Sequence, residues 1–243
     1  MITELLVATW VAMCGAMVRT DPRLWAVVAS SVGFATIRVA LVPVVAGHIK
    51  AFSTFGSAKQ RLWCNTAVSM LHSIVSSLLA CSALVVGHSL GGDFVSQTSS
   101  LEFTSTAIST GYFAYDLWDY VLNRLYVKSP GIVLHHVVIL ICYIAALVKT
   151  VGVPLLSFAL VCELHSAFMH LRKLMAMSGY SLQLSRAYRL VWRLQWIAFA
   201  VARAIPHPMV LILTYQGRQL FVQQTHYWMA FSGIIFINLL NAQ

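Results

Sequence analysis

Long runs of apolar residues, separated by short polar segments, follow one another along the whole chain. A membrane-spanning helix needs about 20 mostly apolar residues, because the hydrocarbon core is about 30 Å thick and each helical residue rises about 1.5 Å. Seven runs approach or exceed that length, so the pattern predicts an all-α, polytopic transmembrane bundle, with boundaries good to about four residues. The predicted spans are Leu24–Ala46, Leu62–Gly87, Leu101–Leu122, Gly131–Val148, Pro154–Met175, Tyr188–Leu213 and Tyr227–Leu240.

A shorter apolar run, Leu5–Val18, precedes these spans. It follows Glu4 and has no basic region before it, which argues against a cleaved signal peptide. We therefore expect an additional helix there, which gives about seven to eight spans in total. In terms of domains, the sequence predicts an N-terminal extra hydrophobic segment, residues 1–23, followed by one transmembrane domain, residues 24–243.

The composition supports a membrane protein over a soluble one. Of 243 residues, 59% are hydrophobic and 9% are charged, and the mean hydropathy is +0.79. Such a chain cannot cover itself with a water-compatible surface. The apolar runs also leave no room for a separate soluble domain.

The distribution of Lys and Arg among the short loops predicts which side of the membrane each loop faces. Basic residues concentrate in alternate loops, Ile49–Arg61, Asn123–Pro130 and Arg172–Arg189. Basic loops stay on the cytosolic side. The net charge of +9 is therefore attributed to these cytosolic loops and to their contact with anionic lipid head groups. Nucleic acid is not among the expected partners.

The cysteines predict neither a disulfide framework nor a metal site. All five fall inside apolar runs and show no Cys-x-x-Cys or Cys/His ligand spacing. No bound cofactor is expected. The chain also has no phosphate-binding loop and no Gly-x-Ser-x-Gly nucleophile motif. These cysteines are Cys14, Cys64, Cys81, Cys142 and Cys162.

Polar residues inside the predicted spans are the candidates for function, because hydrocarbon offers them no water. Many recur at three- and four-residue intervals, which places them on one face of their helix. Asp116 lies roughly 10 Å, and the His135-His136 pair roughly 7 Å, from the cytosolic helix ends, whereas His72 and Glu163 lie near mid-membrane. The positions predict one polar cavity that opens toward the cytosol. In chain order the set is Asn65, Ser69, His72 and Ser76, then Tyr112, Tyr115, Asp116 and Asp119, then His135 and His136, then Glu163, Ser166 and His170.

Structural roles compete with functional ones for these residues. The His135-His136 pair could cap or pack the start of a helix. For Asp116, Glu163 and His72 the alternative is a buried hydrogen bond between helices, since polar side chains commonly hold membrane helices together.

For four further residues the structural role is the expected one. Arg38 is expected to snorkel toward the interface, and Arg203 to support a helix kinked at Pro206. Asp119 and His170 lie near the basic cytosolic rim, where ordinary pairing with neighbouring basic residues is expected. Those neighbours are Arg124, Arg172 and Lys173.

Four short motifs follow one another along the chain: Trp63-x-Asn65-x-x-x-Ser69-x-x-His72-Ser73, Gly111-Tyr112-Phe113-x-x-Asp116-x-x-Asp119, Leu134-His135-His136, and Glu163-Leu164-x-Ser166-x-x-x-His170-Leu171-Arg172-Lys173-Leu174. In this order they resemble the TLC domain, the membrane domain shared by translocating-chain-associating proteins, ceramide synthases and a ceroid-lipofuscinosis protein. The resemblance covers about Leu24–Leu240. Within the family, it is greatest to the TLC-domain-containing proteins one and two, which regulate membrane phospholipid composition.

The resemblance implies six or seven helices around a central, lipid-accessible cavity. In ceramide synthases the His-His pair belongs to the acyl-transfer site, and His135 and His136 match it. An Asp-x-x-Asp on the following helix accompanies that pair in ceramide synthases, but here the corresponding helix has Glu163-Leu164-His165-Ser166. The acidic pair of this chain, Asp116 and Asp119, lies on the preceding helix instead, as in the lipid-regulator branch.

Acyl transfer would assign a role to each candidate residue. His135 or His136 would act as base or nucleophile, and Glu163 or Asp116 would orient that histidine. A carbonyl oxygen or a lipid head group would be positioned by several polar side chains. The substrate-binding set comprises Asn65, Ser69, His72, Tyr112, Asp119, Ser166, His170 and Arg172.

Three functions remain open from the sequence. The first is a regulator of phospholipid acyl composition and membrane fluidity. The second is a membrane acyltransferase that uses fatty acyl-CoA as a substrate, on an amino-headgroup lipid or a lysophospholipid. The third is a partner-binding modulator of a channel or of the translocation machinery. The expected partners are membrane lipids, namely phospholipids and fatty acyl chains, with a homodimer as an option. The expected location is the plasma membrane or the endoplasmic reticulum.

Overall fold

Eleven α-helices make up most of the computed structural model, which describes residues 2–87, 92–127 and 130–241. Lys128 of the predicted basic loop, and the last two residues of the predicted transmembrane domain, lie outside the described residues. The helices are α1 (Ile2–Thr20), α2 (Trp25–Thr36), α3 (Val42–Gly47), α4 (Ser57–Gly87), α5 (Ser100–Leu122), α6 (Pro130–Lys149), α7 (Val153–Ala159), α8 (Glu163–Met177), α9 (Arg186–Phe199), α10 (Pro206–Gln216) and α11 (Gln224–Asn241).

Three pairs of helices continue into each other through turns that are not α-helical. A π-helical segment, Ile37–Leu41, joins α2 to α3, and a second one, Ala200–Ala204, joins α9 to α10. A 3-10 turn, Leu160–Cys162, joins α7 to α8. Pro43 and Pro206 are each the second residue after a π segment. Proline lacks an N–H and its ring clashes with the carbonyl four residues earlier, so each of these positions favours a wider turn.

If each pair of continuous helices is counted as one rod, the described part of the chain has eight rods. They follow the predicted spans closely. Five rods are long and apolar enough to cross a membrane by length and composition, which confirms a multi-pass helical bundle. The other three, α1, α5 and α11, fall short of those criteria. The five are Pro22–Gly47, Ser57–Gly87, Gly131–Lys149, Val153–Met177 and Arg186–Leu220.

The polar composition of α5 follows from its central position. Fifteen of its twenty-three residues are buried, and it packs against α2, α4, α6 and α7. A helix that neighbours enclose on most sides needs little lipid-facing apolar surface. Glu102, one of its buried acidic residues, serves the helix start: its Oε2 accepts a hydrogen bond from the Ser99 N–H at 2.7 Å. The Ser99 hydroxyl accepts in return from the Glu102 N–H at 3.3 Å, which completes a capping box.

Small residues let α5 approach α2 closely. A Cβ placed on Gly111 would overlap the carbonyl oxygen of Val27 and would lie 2.7 Å from the Cβ of Ser30. The Ser30 hydroxyl also donates a hydrogen bond to the Ile108 carbonyl at 2.6 Å. Close contact through glycine and serine is a common way to join membrane helices, because apolar burial alone does not drive their association in lipid.

We predict that Gly111→Ala lowers stability by about 1–3 kcal/mol, because the new methyl group meets backbone atoms of α2 that cannot move aside. The midpoint of thermal unfolding of the purified protein in detergent measures the effect. Gly33→Ala is the matched control, since a Cβ there meets nothing within 4 Å. A Gly111→Ala protein as stable as the Gly33→Ala protein would show that the α2–α5 contact is looser than described.

Candidate functional site

A cavity of about 410 Å³ lies between α4, α5, α6, the α7–α8 rod, α10 and α11. Small-molecule pockets in proteins span roughly 300–1,000 Å³ and combine apolar walls with a few convergent polar groups. This cavity has that character. Twelve residues were predicted to be catalytic or substrate-binding, and ten of them line this cavity: Asn65, Ser69, His72, Tyr112, Asp116, His135, His136, Glu163, Ser166 and His170.

The other two candidates lie outside the cavity wall. Arg172 donates through its Nε to the side-chain oxygen of Gln195 at 2.5 Å and lies 3.5 Å from the Tyr188 hydroxyl. Asp119 lies three residues after Asp116 on α5, and its Oδ1 accepts a hydrogen bond from the Asn123 side-chain amide at 2.8 Å.

The rim pairing expected of Asp119 and His170 is wrong within the described residues. Asp119 pairs with no basic residue of the rim and faces α2 instead. His170 lines the cavity, and its buried Nδ1 has no hydrogen-bond partner among the described residues. A residue on the last turns of a helix can therefore point inward as readily as toward the rim.

His136 is the histidine of the pair that lies beside a carboxylate. Its Nδ1 is 3.5 Å from Oδ2 of Asp116, and both side chains are buried. That separation is slightly longer than a hydrogen bond, and such contacts often shorten when a ligand binds. His135 is half-buried, with its ring centroid 5.5 Å from that of His136. Its Nδ1 has no hydrogen-bond partner in the described residues.

A single amide group connects the two acidic residues of α5. The Asn65 amide donates to Oδ1 of Asp116 at 2.7 Å and to Oδ2 of Asp119 at 2.9 Å. The Ser69 hydroxyl, one turn later on α4, donates to the Asn65 carbonyl at 3.0 Å. Both amide hydrogens of Asn65 are therefore used within the protein. Asn65 fixes the Asp116 carboxylate that faces His136.

Arg38 does not snorkel to the interface, contrary to expectation. Its side chain is 15% exposed, and its Nε lies 3.4 Å from Oδ1 of Asp119. Arg38 lies within the π segment Ile37–Leu41, and its side chain points at α5. An ion pair in a membrane interior compensates two charges that hydrocarbon would otherwise leave unsolvated. The contacts therefore run in sequence from Arg38 through Asp119, Asn65 and Asp116 to His136.

A second histidine and carboxylate pair lies deeper in the bundle. Nδ1 of His72 is 3.9 Å from Oε2 of Glu163, and the same oxygen accepts a hydrogen bond from the Ser73 hydroxyl at 2.6 Å. The His72 ring stacks on Tyr112, with centroids 3.7 Å apart and planes at 7°. Phe34 packs edge-on against the same ring at 5.8 Å. His72 is thus held rigidly by aromatic neighbours.

Three basic residues of the cavity wall have no site role in the prediction from the sequence: Lys173, Arg203 and His207. Arg203 lies in the π segment between α9 and α10 and donates through Nη2 to the Ser166 hydroxyl at 2.9 Å. Its charge inside a predicted span was the available signal, whereas the kink at Pro206 had suggested a purely structural role. His165, offset from its neighbours in the sequence pattern, packs against Phe199.

The described residues contain no group of three His, Cys, Asp or Glu side chains placed to hold a metal ion. The pairs of the cavity are instead arranged as one imidazole beside one carboxylate. Such pairs suit proton transfer and the binding of polar lipid groups.

Comparison with known proteins identifies relatives of this chain. A family model described as the TLC domain matches residues 62–242. The chain is 28% identical over 117 residues to TLC domain-containing protein 2 of Danio rerio, covering 48% of each protein. It is 31% identical over 116 residues to the Homo sapiens protein of that name, covering 48% of this chain and 44% of the relative.

The Mus musculus protein of the same name is 30% identical over 117 residues, covering 48% of this chain and 38% of the relative. The chain thus spans about half or less of the length of the curated relatives that it matches. No solved structure matches it.

We predict that Arg38→Met costs roughly 3–5 kcal/mol of stability, because it leaves the buried Asp119 carboxylate without a compensating charge. The double variant Arg38→Met/Asp119→Asn should recover a large part of that loss, since the asparagine oxygen can still accept from Asn65. Thermal unfolding of the single and double variants in detergent forms a double-mutant cycle.

The control for the arginine change is Arg193→Met, on the exposed face of α9, which should change the unfolding midpoint little. Strictly additive effects of the two substitutions in the cycle would contradict the Arg38–Asp119 pair.

Proposed function

The chain belongs to the TLC domain family, and from this membership and the cavity we propose that it acts in membrane lipid homeostasis. The proposed role is to regulate the acyl composition of membrane phospholipids, and through it the fluidity of the bilayer. The observation that supports it most is the pair of His136 and Asp116 at the wall of a largely apolar cavity within the transmembrane bundle.

A lipid is the ligand class that this cavity suits. Its wall combines apolar side chains such as Leu160, Ile234 and Ile237 with the polar groups on α4, α5 and α6. An acyl chain needs the first kind of surface, and a carbonyl or head group needs the second. The proposed partners are therefore phospholipids and fatty acyl chains of the surrounding bilayer, in the plasma membrane or the endoplasmic reticulum.

We expect cells that lack the protein to show an altered phospholipid acyl profile. Wild type should restore that profile, whereas His135→Ala/His136→Ala should not, because the variant removes the imidazoles at the polar side of the cavity. Lipidomics at matched protein levels measures the effect. His48→Ala, at an exposed position outside the cavity, serves as the control and should restore the profile fully. A double variant that works as well as wild type would assign the pair to structure.

A second candidate is acyl transfer from fatty acyl-CoA, favoured specifically by the contact between His136 and Asp116. With Nδ1 turned toward the carboxylate, Nε2 of His136 is the nitrogen left for a substrate. The carboxylate would hold the ring in one orientation and stabilise the imidazolium that forms.

In the base route, Nε2 takes the proton of an acceptor amine or hydroxyl as that group attacks the thioester carbonyl. The new C–N or C–O bond forms, the C–S bond breaks, and the departing thiolate recovers the proton from the imidazolium. In the nucleophile route, an acyl-imidazole forms first and releases the thiol, and the acceptor then displaces the imidazole. His135 would take the same role if its ring were the one in contact with the thioester.

The acyl-transfer candidate predicts that purified wild-type protein moves a labelled palmitoyl group from palmitoyl-CoA to a lysophospholipid or an amino-headgroup lipid. Asp116→Asn should lower the rate roughly 10²–10⁴-fold, because an amide cannot stabilise the imidazolium. Asp21→Asn is the matched control, since Asp21 pairs with Arg23 at the exposed turn before α2. No transfer by wild type above the protein-free rate, with either acceptor, would remove this candidate and leave the regulator role in place.

A further inference from the structure

Two arginines, Arg38 and Arg203, occupy the π-helical segments of the membrane-spanning rods, and each segment precedes a proline. Arg38 is matched by Asp119, 3.4 Å away. Arg203 has no carboxylate within 4.0 Å in the described part of the chain. Two similar turns therefore carry two arginines whose charges are satisfied differently.

The surroundings of Arg203 leave part of its hydrogen-bonding capacity unused. Its Nη2 donates to the Ser166 hydroxyl at 2.9 Å, while its buried Nε has no acceptor among the described residues. The nearest turn of α10 adds His207, which is 3% exposed and whose ring interacts with the main chain of Arg203. Both side chains line the cavity. Buried polar atoms normally have partners, so unpaired ones at a cavity wall indicate the chemistry of a ligand.

Glu163 is the carboxylate of the cavity that interacts electrostatically with Arg203, but it forms no ion pair with it within 4.0 Å among the described residues. Oε2 of Glu163 accepts from Ser73 on α4. Oδ1 of Asp116 accepts from Asn65, and its Oδ2 lies 3.5 Å from Nδ1 of His136. A guanidinium is always protonated and presents five donors, in a fork that matches a carboxylate or a phosphate. The group that best complements Arg203 and His207 is therefore an oxyanion.

The remainder of the wall indicates what carries that oxyanion. Apolar side chains of α7 and α11 line the cavity beside the polar groups. A volume of about 410 Å³ lies near the lower end of the range for ligand pockets, which favours a molecule with one acyl chain over a two-chain phospholipid.

We propose that Arg203, with His207, binds the anionic head group of a single-chain amphiphile whose acyl chain occupies the apolar part of the cavity. The shared chemistry is an oxyanion on an acyl chain, which a fatty acid supplies as a carboxylate and a lysophospholipid as a phosphate. This ligand class deepens the proposed lipid function and uses the same cavity. It does not depend on any chemistry at His136.

The test uses the full chain in nanodiscs of phosphatidylcholine, with a photoreactive, alkyne-tagged palmitate as the probe. Palmitate or palmitoyl lysophosphatidate should displace the probe, and whichever competes at the lower concentration identifies carboxylate or phosphate as the preferred oxyanion. Methyl palmitate has the same chain without the charge and should compete roughly tenfold or more weakly than the better of the two anions. Equal competition by methyl palmitate would overturn the proposal, because apolar contact alone would then explain binding. This comparison uses wild type and does not depend on whether any variant folds.

Variants of Arg203 test whether this side chain binds the anionic group of the probe. Arg203→Met should weaken binding of the probe roughly tenfold to a hundredfold, because it removes the charged donors, and Arg203→Lys should retain part of the affinity. Arg193→Met, at an exposed position of α9, is the matched control and should bind as wild type does. Unfolding midpoints show whether each variant is folded. A folded Arg203→Met protein that binds palmitate as tightly as wild type would overturn the assignment.

The outcome is separable from that of the proposed function. If His135→Ala/His136→Ala fails to restore the lipid profile while Arg203→Met binds the probe normally, the lipid role stands and the oxyanion site fails. If wild type binds the probe through Arg203 while deletion leaves the lipid profile unchanged, the site stands and the role in acyl composition fails.

Discussion

A charge inside a bilayer must find its partner within the protein or in a bound molecule, because hydrocarbon cannot solvate it. In this chain the charges of Arg38, Asp119 and Asp116 are compensated by a series of contacts that runs from Arg38 to His136. The same contacts tie α2, α4, α5 and α6 together. The interactions that stabilise the bundle are therefore also those that orient the candidate histidine, and the two roles weighed for Asp116 from the sequence are compatible.

The central position of α5 gives this arrangement its geometry. Because α2, α4, α6 and α7 enclose it, α5 can carry three acidic residues, Glu102, Asp116 and Asp119, without exposing them to lipid. Gly111 brings its backbone against α2, which places the π segment around Arg38 within reach of Asp119. Tight backbone contact and charge pairing are thus parts of one interface. The cavity lies beside this interface, where Tyr112 and Asp116 line it.

The sequence predicted the number and bounds of most rods, because the apolar runs report burial in lipid directly. It also predicted the polar faces of α4, α5 and α8, since three- and four-residue spacing survives in any regular helix. It could not predict partners. Whether Asp119 pairs with the basic rim or with Arg38 depends on how α2 packs against α5. The packing of two helices is a property of the tertiary structure, which residue spacing along one helix does not report.

The expectation for Arg38 was wrong for a related reason. Arg38 and Arg203 both lie in π turns, which break the 3.6-residue period on which face assignments rest. The prolines that follow them, Pro43 and Pro206, were signals of an irregular turn, yet they do not tell which way a side chain will point.

A π turn also has a consequence for helical phase. It holds more residues than an α turn, so every side chain beyond it is rotated about the rod axis relative to an uninterrupted helix. In the α9–α10 rod, a change that made Ala200–Ala204 regular α-helix with the same number of residues would turn all of α10 by about 100°. His207 would then move out of the cavity wall, while the apolar composition of the rod would stay almost unchanged. Insertion into the membrane and alignment of the cavity are accordingly encoded by different properties of the same segment, its hydropathy and its helical period.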